Sequence, residues 1–241
     1  MAHSKPKPVK KSVSFIQDAS DGANVTEETK YTSIKQGPAV PSLKRNLAAF
    51  PLHNLLILVG LFHYGLTENV DTVLLKGFIT SLPLQASYAY LLANNVHKKL
   101  KSANIPLLVV SSIVVSILLA VPTFAMLVIL GAPLSNFKFR TACLALHVSQ
   151  QIFTPLLVVY RLDFQQFKLL FDQDRIYLTI FQHPVLCQVL LTLGCCWLGV
   201  IPIPLDWDRP WQQWPITLLI GAYTGGIVGS VVSFVVNLVS R

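Results

Sequence analysis

The chain has 241 residues, 53% hydrophobic and only 12% charged, with a mean hydropathy of +0.56 and a formal net charge of +8. A soluble domain carries about 25% charged residues, so the composition excludes an ordinary soluble globular protein and points to a membrane protein. The basic residues sit between apolar blocks, which assigns them to orientation and anionic lipid head groups rather than to nucleic acid.

Residues 1–45 hold eight Lys/Arg, four Asp/Glu and four prolines. They cannot bury enough apolar surface to offset chain entropy, so they are expected to form a disordered basic tail. They contain no apolar run like a signal-peptide core, so the first span is expected to target the chain. Within the tail, Lys11-Ser12-Val13-Ser14-Phe15 matches a short phosphatase-docking pattern, and Ser12 and Ser14 are candidate phosphorylation sites. Asn24-Val25-Thr26 is a glycosylation sequon, usable only if the tail is luminal.

About six apolar segments follow in residues 46–241: 48–66, 72–93, 105–130, 141–161, 185–203 and 215–239. A membrane helix needs about 20 apolar residues. The expected fold is therefore an all-α membrane protein, a bundle of about six transmembrane helices. Pro83 falls inside the second segment, and Pro122 can kink the third.

Charge between the segments sets the orientation. Lys30, Lys35, Lys44, Arg45, Lys98, Lys99, Lys101, Arg161, Lys168, Arg175 and Arg241 fall on one side, against Lys138, Arg140 and Arg209 on the other. Lys76 can snorkel to its interface. The positive-inside rule then places both termini in the cytosol and leaves Asn24 unglycosylated.

Between segments four and five, Phe164, Phe167 and Phe171 recur at helical spacing, with Lys168, Asp172 and Arg175 free for the other face. This predicts a helix in the cytosolic interface, or one packed under the bundle.

Residues 201–216, IPIPLDWDRPWQQWPI, join segments five and six on the non-cytosolic side. Asp206-Trp207-Asp208 could hold a divalent cation, since hard cations want clustered oxygens. The prolines and Trp207, Trp211 and Trp214 equally suit a rigid interfacial hairpin, with Asp208 capping a turn and Arg209 pairing with a neighbouring aspartate or stacking on an indole.

In segment six, Gly221, Gly225 and Gly229 recur every fourth residue, and Ser233 continues the row. Such a stripe lets a second helix approach closely, inside the bundle or from another subunit. His53, His147 and Gln151 are the notable polar groups within segments. They read either as interhelical hydrogen bonding or as a polar pocket or path. Cys143, Cys187, Cys195 and Cys196 lie in apolar segments and read as small packing residues. No Gly-x-Ser-x-Gly, His-Glu-x-x-His or phosphate-binding glycine-rich loop is present, and the short non-cytosolic loops 67–71, 131–140 and 204–214 cannot fold a catalytic domain.

The run from Ile203 through Gln212, followed by Trp214-Pro215, closely resembles the signature of the Pig-F family of glycosylphosphatidylinositol (GPI) anchor biosynthesis proteins. Gly131-Ala132-Pro133-Leu134, Leu146-His147 and Phe50-Pro51 with His53 join the resemblance, which spans residues 47–239. The basic tail is similar to that of fungal members. The resemblance implies a multi-pass protein of the endoplasmic reticulum. It implies a non-catalytic, stabilising subunit for a large ethanolamine-phosphate transferase that modifies mannose of the anchor precursor. Partners would be that catalytic subunit and membrane lipids, including the GPI precursor, with no cofactor and no nucleic acid. The alternative reading is a lipid or small-molecule transporter of the same membrane.

Overall fold

A computed structural model describes residues 40–44, 50–96, 104–171, 175–205 and 207–240. The tail motifs and Asp206 lie outside these. Among the described residues the chain is helical, with one isolated bridge between Leu43 and Val96.

Helix α1 (Leu52–His63) has 12 residues, about 18 Å of length against the ~30 Å of a bilayer core. A Schellman turn ends it. Gly65 takes φ +81°, and Leu66 N–H donates to Leu61 O at 3.1 Å. Helix α2 (Val70–Asn95) runs through Pro83 without interruption and is long enough to cross, at 26 residues. Lys76, Gln85 and its Ser and Thr residues dilute its apolar character.

The third segment is one rod with a local break, α3 (Ile105–Leu118) and α4 (Ala120–Ile129). The expected kink at Pro122 is only a break at Leu119. Pro122 has no N–H for Leu118 O, yet Leu119 N still bonds Val115 O and Thr123 N still bonds Leu119 O, so the rod continues. A second Schellman turn at Gly131, φ +100°, closes α4, with Ala132 N donating to Leu127 O at 3.0 Å.

Helix α5 (Lys138–Tyr160) is the central element and touches α2, α3, α4, α8 and α9. Its buried face carries His147, Ser149, Gln150 and Gln151 as well as apolar groups. Arg161 and Leu162, both at positive φ, then turn the chain out of the bundle.

The single amphipathic helix expected over 162–184 is instead two short ones, α6 (Phe164–Lys168) and α7 (Ile176–Gln182). The Asp163 carboxylate caps α6 by accepting from the amides of Gln165 and Gln166. Only Phe167 of the three phenylalanines packs inward, edge-on to Tyr160 at 5.4 Å, while Phe164 and Phe171 are exposed.

Helix α8 (Pro184–Leu198) meets α7 at 96°. Helix α9 (Ile216–Val239) runs back against α8. Among the described residues, the α3–α4 rod, α5 and α9 are long and apolar enough to cross a membrane, and the bent α7–α8 pair would make a fourth if counted as one span.

Two apolar cores divide the bundle. One lies toward the 201–214 connection and gathers Leu61, Leu74, Leu144, Leu219 and Tyr223. The other lies at the opposite end around Leu92, Val158, Tyr160 and Val185. Residues 40–44, assigned to the tail from sequence, form a strap over this second end. Lys44 N donates to Asn95 O at 2.9 Å, and His183 Nε2 donates to Pro41 O at 3.1 Å.

Candidate functional site

The 201–214 connection is a folded hairpin held from inside by Gln212. Its amide nitrogen donates to Pro202 O at 2.8 Å and Leu205 O at 2.9 Å, and its Oε1 accepts from the Arg209 amide at 2.8 Å. Gln212 is only 9% exposed. Three backbone groups are thus satisfied by one side chain, which the sequence reading passed over. The one available signal was position. A glutamine stands three residues after the turn's first residue, where a side chain can reach back to an amide.

The short 3-10 turn Pro210–Gln212 starts at Arg209. Asp208 does not cap it. Asp208 takes a left-handed backbone at φ +46°, and the Gln212 side chain caps Arg209 instead. Asp206, the other half of the proposed cation pair, lies outside the described residues. Among those residues, no three His, Cys, Asp or Glu side chains gather as a metal site.

The three tryptophans do different things. Trp214 Nε1–H donates to Thr141 Oγ1 at 3.1 Å and fixes the hairpin to the start of α5. The Thr141 hydroxyl in turn reaches Phe137 O at 3.1 Å and Pro133 O at 3.2 Å, so it joins hairpin, α5 and the 131–137 turn. Trp211 packs on the apolar core, and Trp207 leans on Trp211 at 5.8 Å with 54% of its own surface exposed. Trp207→Ala should therefore lower hairpin stability by less than about 1 kcal/mol, and Trp211→Ala by about 3 kcal/mol, since aromatic truncation in a core is the costly case. Thermal unfolding of the two variants compares them directly.

Arg140 closes the same end. Its guanidinium grips Asp71 in a two-pronged pair at 2.9 and 3.1 Å and reaches Trp214 O at 3.4 Å. The hydrogen-bonded guanidinium holds the Asp71 carboxyl below its ordinary value. One basic residue thereby ties α2, α5 and the hairpin together.

The stripe on α9 faces α8 inside the bundle. A Cβ at Gly221 would lie 2.1 Å from Cys195 O, one at Gly225 2.3 Å from Leu191 O, and one at Gly229 2.6 Å from Cys187 O. Gly199 repeats the approach from α8, 2.5 Å from Thr217 O. All four cysteines are free thiols.

A polar chain crosses the bundle interior. His147 Nε2–H donates to Leu74 O at 3.0 Å, and its Nδ1 accepts from the Tyr223 hydroxyl at 2.7 Å. The carbonyl can only accept, which fixes the neutral tautomer. Gln151 lies beside Tyr223 and accepts from Asn54 Nδ2 at 3.4 Å, while Pro155 leaves the Gln151 carbonyl without its helical donor. Gly226 allows Asn54, Thr192 and Gln151 to converge. His53 is separate, donating to Gln85 and stacked on Tyr88 at 4.3 Å. So His147 and Gln151 share one network, and His53 belongs to another at the strap end. Both nitrogens of His147 are occupied by the protein itself, which makes it a packing element of the core.

Residues 49–234 match the family described as GPI biosynthesis protein family Pig-F. The chain is 46% identical to glycosylphosphatidylinositol anchor biosynthesis protein 11 of Candida albicans, with 98% of each chain covered. It is 40% identical to the protein of that name from Debaryomyces hansenii (95% and 98% covered). Against the Saccharomyces cerevisiae protein it is 31% identical (92% and 93% covered). No solved structure matches the chain.

Proposed function

The chain belongs to the GPI biosynthesis protein family Pig-F, and from that premise we propose that it is a non-catalytic, stabilising membrane subunit of a GPI-ethanolamine-phosphate transferase. It supports transfer of ethanolamine phosphate to mannose of the anchor precursor by a large catalytic partner in the endoplasmic reticulum membrane. The observation that carries this reading is the family match over residues 49–234, which contains the braced hairpin.

In this reading the chain crosses the membrane six times with both termini cytosolic. Helices α1 and α8 are short for a full crossing. The turns that follow them, residues 64–69 and 199–205, are largely exposed, so in this reading they lie at the interface and the bilayer thins to meet the two shorter spans. The basic asymmetry of the sequence then puts the hairpin in the lumen. Its charged and indole surface is the face offered to the catalytic partner or to the precursor. The polar chain around His147 and Gln151 and the α8–α9 seam hold the scaffold that presents it.

Affinity capture of the tagged full-length chain from membranes, read by mass spectrometry, should recover a much larger multi-pass transferase. Depletion of the chain should lower that protein's abundance. A transferase fully active and abundant without this chain would overturn the proposal. Flux of lipid or solute through liposomes holding only this chain would favour the transporter reading instead.

A further inference from the structure

The strap end contains a cavity of about 600 Å³ between residues 40–44, Phe50, the end of α7, the start of α8 and the last turns of α9. That is far more than a few waters need, at roughly 30 Å³ each, and within the range of small-molecule and lipid sites. We propose that it binds one anionic glycerophospholipid from the cytosolic leaflet, with the phosphate on Lys44 and an acyl chain along Phe50 and Phe234.

Three features of the lining argue for this occupant. First, Lys44 is the only charged side chain among the described lining residues. No carboxylate among them opposes it, so the site favours a single anion. His183 also lines the cavity, but its Nε2–H is held by Pro41 O and its Nδ1 accepts from the Leu186 amide at 3.3 Å, so it stays neutral and structural. Second, the wall is divided. Phe50 and Phe234, with ring centroids 6.1 Å apart, join Leu43 and Pro184 as the apolar part, and Ser42, Thr179 and Asn237 supply polar groups. This is the division between acyl and glycerol-phosphate regions of a lipid. Third, the apolar wall does not end at the cavity. Phe234 stands on an exposed α9 face that continues through Val235 and Leu238, so a chain lying on Phe234 runs directly into the bilayer. Free phosphate would use none of this surface.

The geometry of the backbone explains why the cavity exists. Helix α7 meets α8 at 96° and so covers the end of α9 instead of extending it. Asn237 Nδ2 and the Ser233 hydroxyl both bond Gln182 O, at 2.6 and 3.0 Å, and fix α7 at that angle. The strap, pinned by Pro41 and Lys44, then forms the outer rim. This inference rests on the proposed orientation for the leaflet it names and is independent of the chain's role beside a transferase.

The test uses full-length protein reconstituted in phosphatidylcholine vesicles doped with phosphatidylserine, then extracted in mild detergent and weighed by native mass spectrometry. One retained lipid per chain is expected, with phosphatidylserine enriched about fivefold over its share in the vesicle, the factor one basic residue gives near an anionic surface. Lys44→Glu should remove the enrichment with no change in melting temperature, because Lys44 is exposed. Ser42→Trp, which plugs the rim, should remove the adduct. No adduct on the unmodified chain would overturn the proposal, as would an adduct of vesicle composition that Lys44→Glu leaves unchanged. An adduct that appears only when residues 1–36 are deleted would show that the chain fills its own cavity, and would also overturn it.

Discussion

Gly225→Leu is expected to abolish a folded, detergent-stable chain. The α8–α9 seam is an antiparallel backbone contact in which four small positions meet carbonyls or main-chain atoms: Gly229 against Cys187, Gly225 against Leu191, Gly221 against Cys195, and Gly199 against Thr217. Each step is four residues, so the contact runs along one ridge of each helix. A Cβ at Gly225 alone would sit 2.3 Å from Leu191 O and 2.8 Å from Cys195 Cβ. Backbone cannot rotate away as a side-chain tip can. The helices must separate, and with them every other close contact in the row. Overpacking of a core commonly costs about 1–3 kcal/mol, and here the whole seam opens, so more than about 3 kcal/mol is expected. Size-exclusion chromatography and thermal unfolding read the result. Gly194→Ala is the control. It lies on α8 with nothing within 4 Å of its Cβ position, and it should behave as the unmodified chain. Equal melting temperatures for Gly225→Leu and Gly194→Ala would mean that the seam does not hold the bundle.

The close approach behind this result was legible in the spacing of Gly221, Gly225 and Gly229, but its partner was not. A small-residue stripe says that something comes near, while the ridge that does so is fixed by topology. Here Cys187, Leu191, Cys195 and Gly199 form it, and only Gly199 carries a small-residue signal as clear as that on α9. The helices themselves were read from apolar blocks, since membrane solvent rewards nothing else over long runs. Their ends were less legible. The Gly65 and Gly131 turns stop α1 and α4 by left-handed backbone, a signal independent of hydropathy.

Residues 162–184 show why periodicity misled. Three phenylalanines at helical spacing suggested one continuous face, yet Asp163 starts a helix that ends at Lys168, and only Phe167 finds a core partner. Spacing shows that residues can share a face if a helix forms, and the cap and the packing site decide how far it runs. The strap was hidden for a different reason. Val40 to Lys44 have no secondary-structure pattern, and they are held by a histidine far along the chain. At the hairpin, the charged and aromatic residues were conspicuous while Gln212 and Thr141 were not. Yet those two, with Trp214, determine the shape.

Gln212→Leu should accordingly damage the hairpin more than removal of any conspicuous charged group in it. Leucine preserves volume and deletes the side-chain amide. The Arg209 N–H, Pro202 O and Leu205 O then lose their partner together. A stranded buried polar group costs about 1–3 kcal/mol. Because the exposed Leu205 side of the loop can recruit water, the three losses do not simply add, and a net cost of about 2 kcal/mol is expected. Hydrogen exchange gives the sharpest reading. The Arg209 amide is protected by Gln212 Oε1 alone, so its exchange should quicken by on the order of thirtyfold, the equivalent of that cost. Amides in the middle of α5 and α9 should hold their rates, because the bundle does not depend on this brace. Capture of the proposed transferase partner should fall in parallel if the hairpin is the surface it meets. Gln212→Glu separates brace from bulk. It keeps the acceptor for Arg209 but loses both donors and sets a negative charge against two carbonyls, so it should be at least as harmful as leucine. Unchanged Arg209 exchange in both variants would show that the prolines and Trp214 alone determine the hairpin, and would leave the signature's tryptophans and prolines as its only structural determinants.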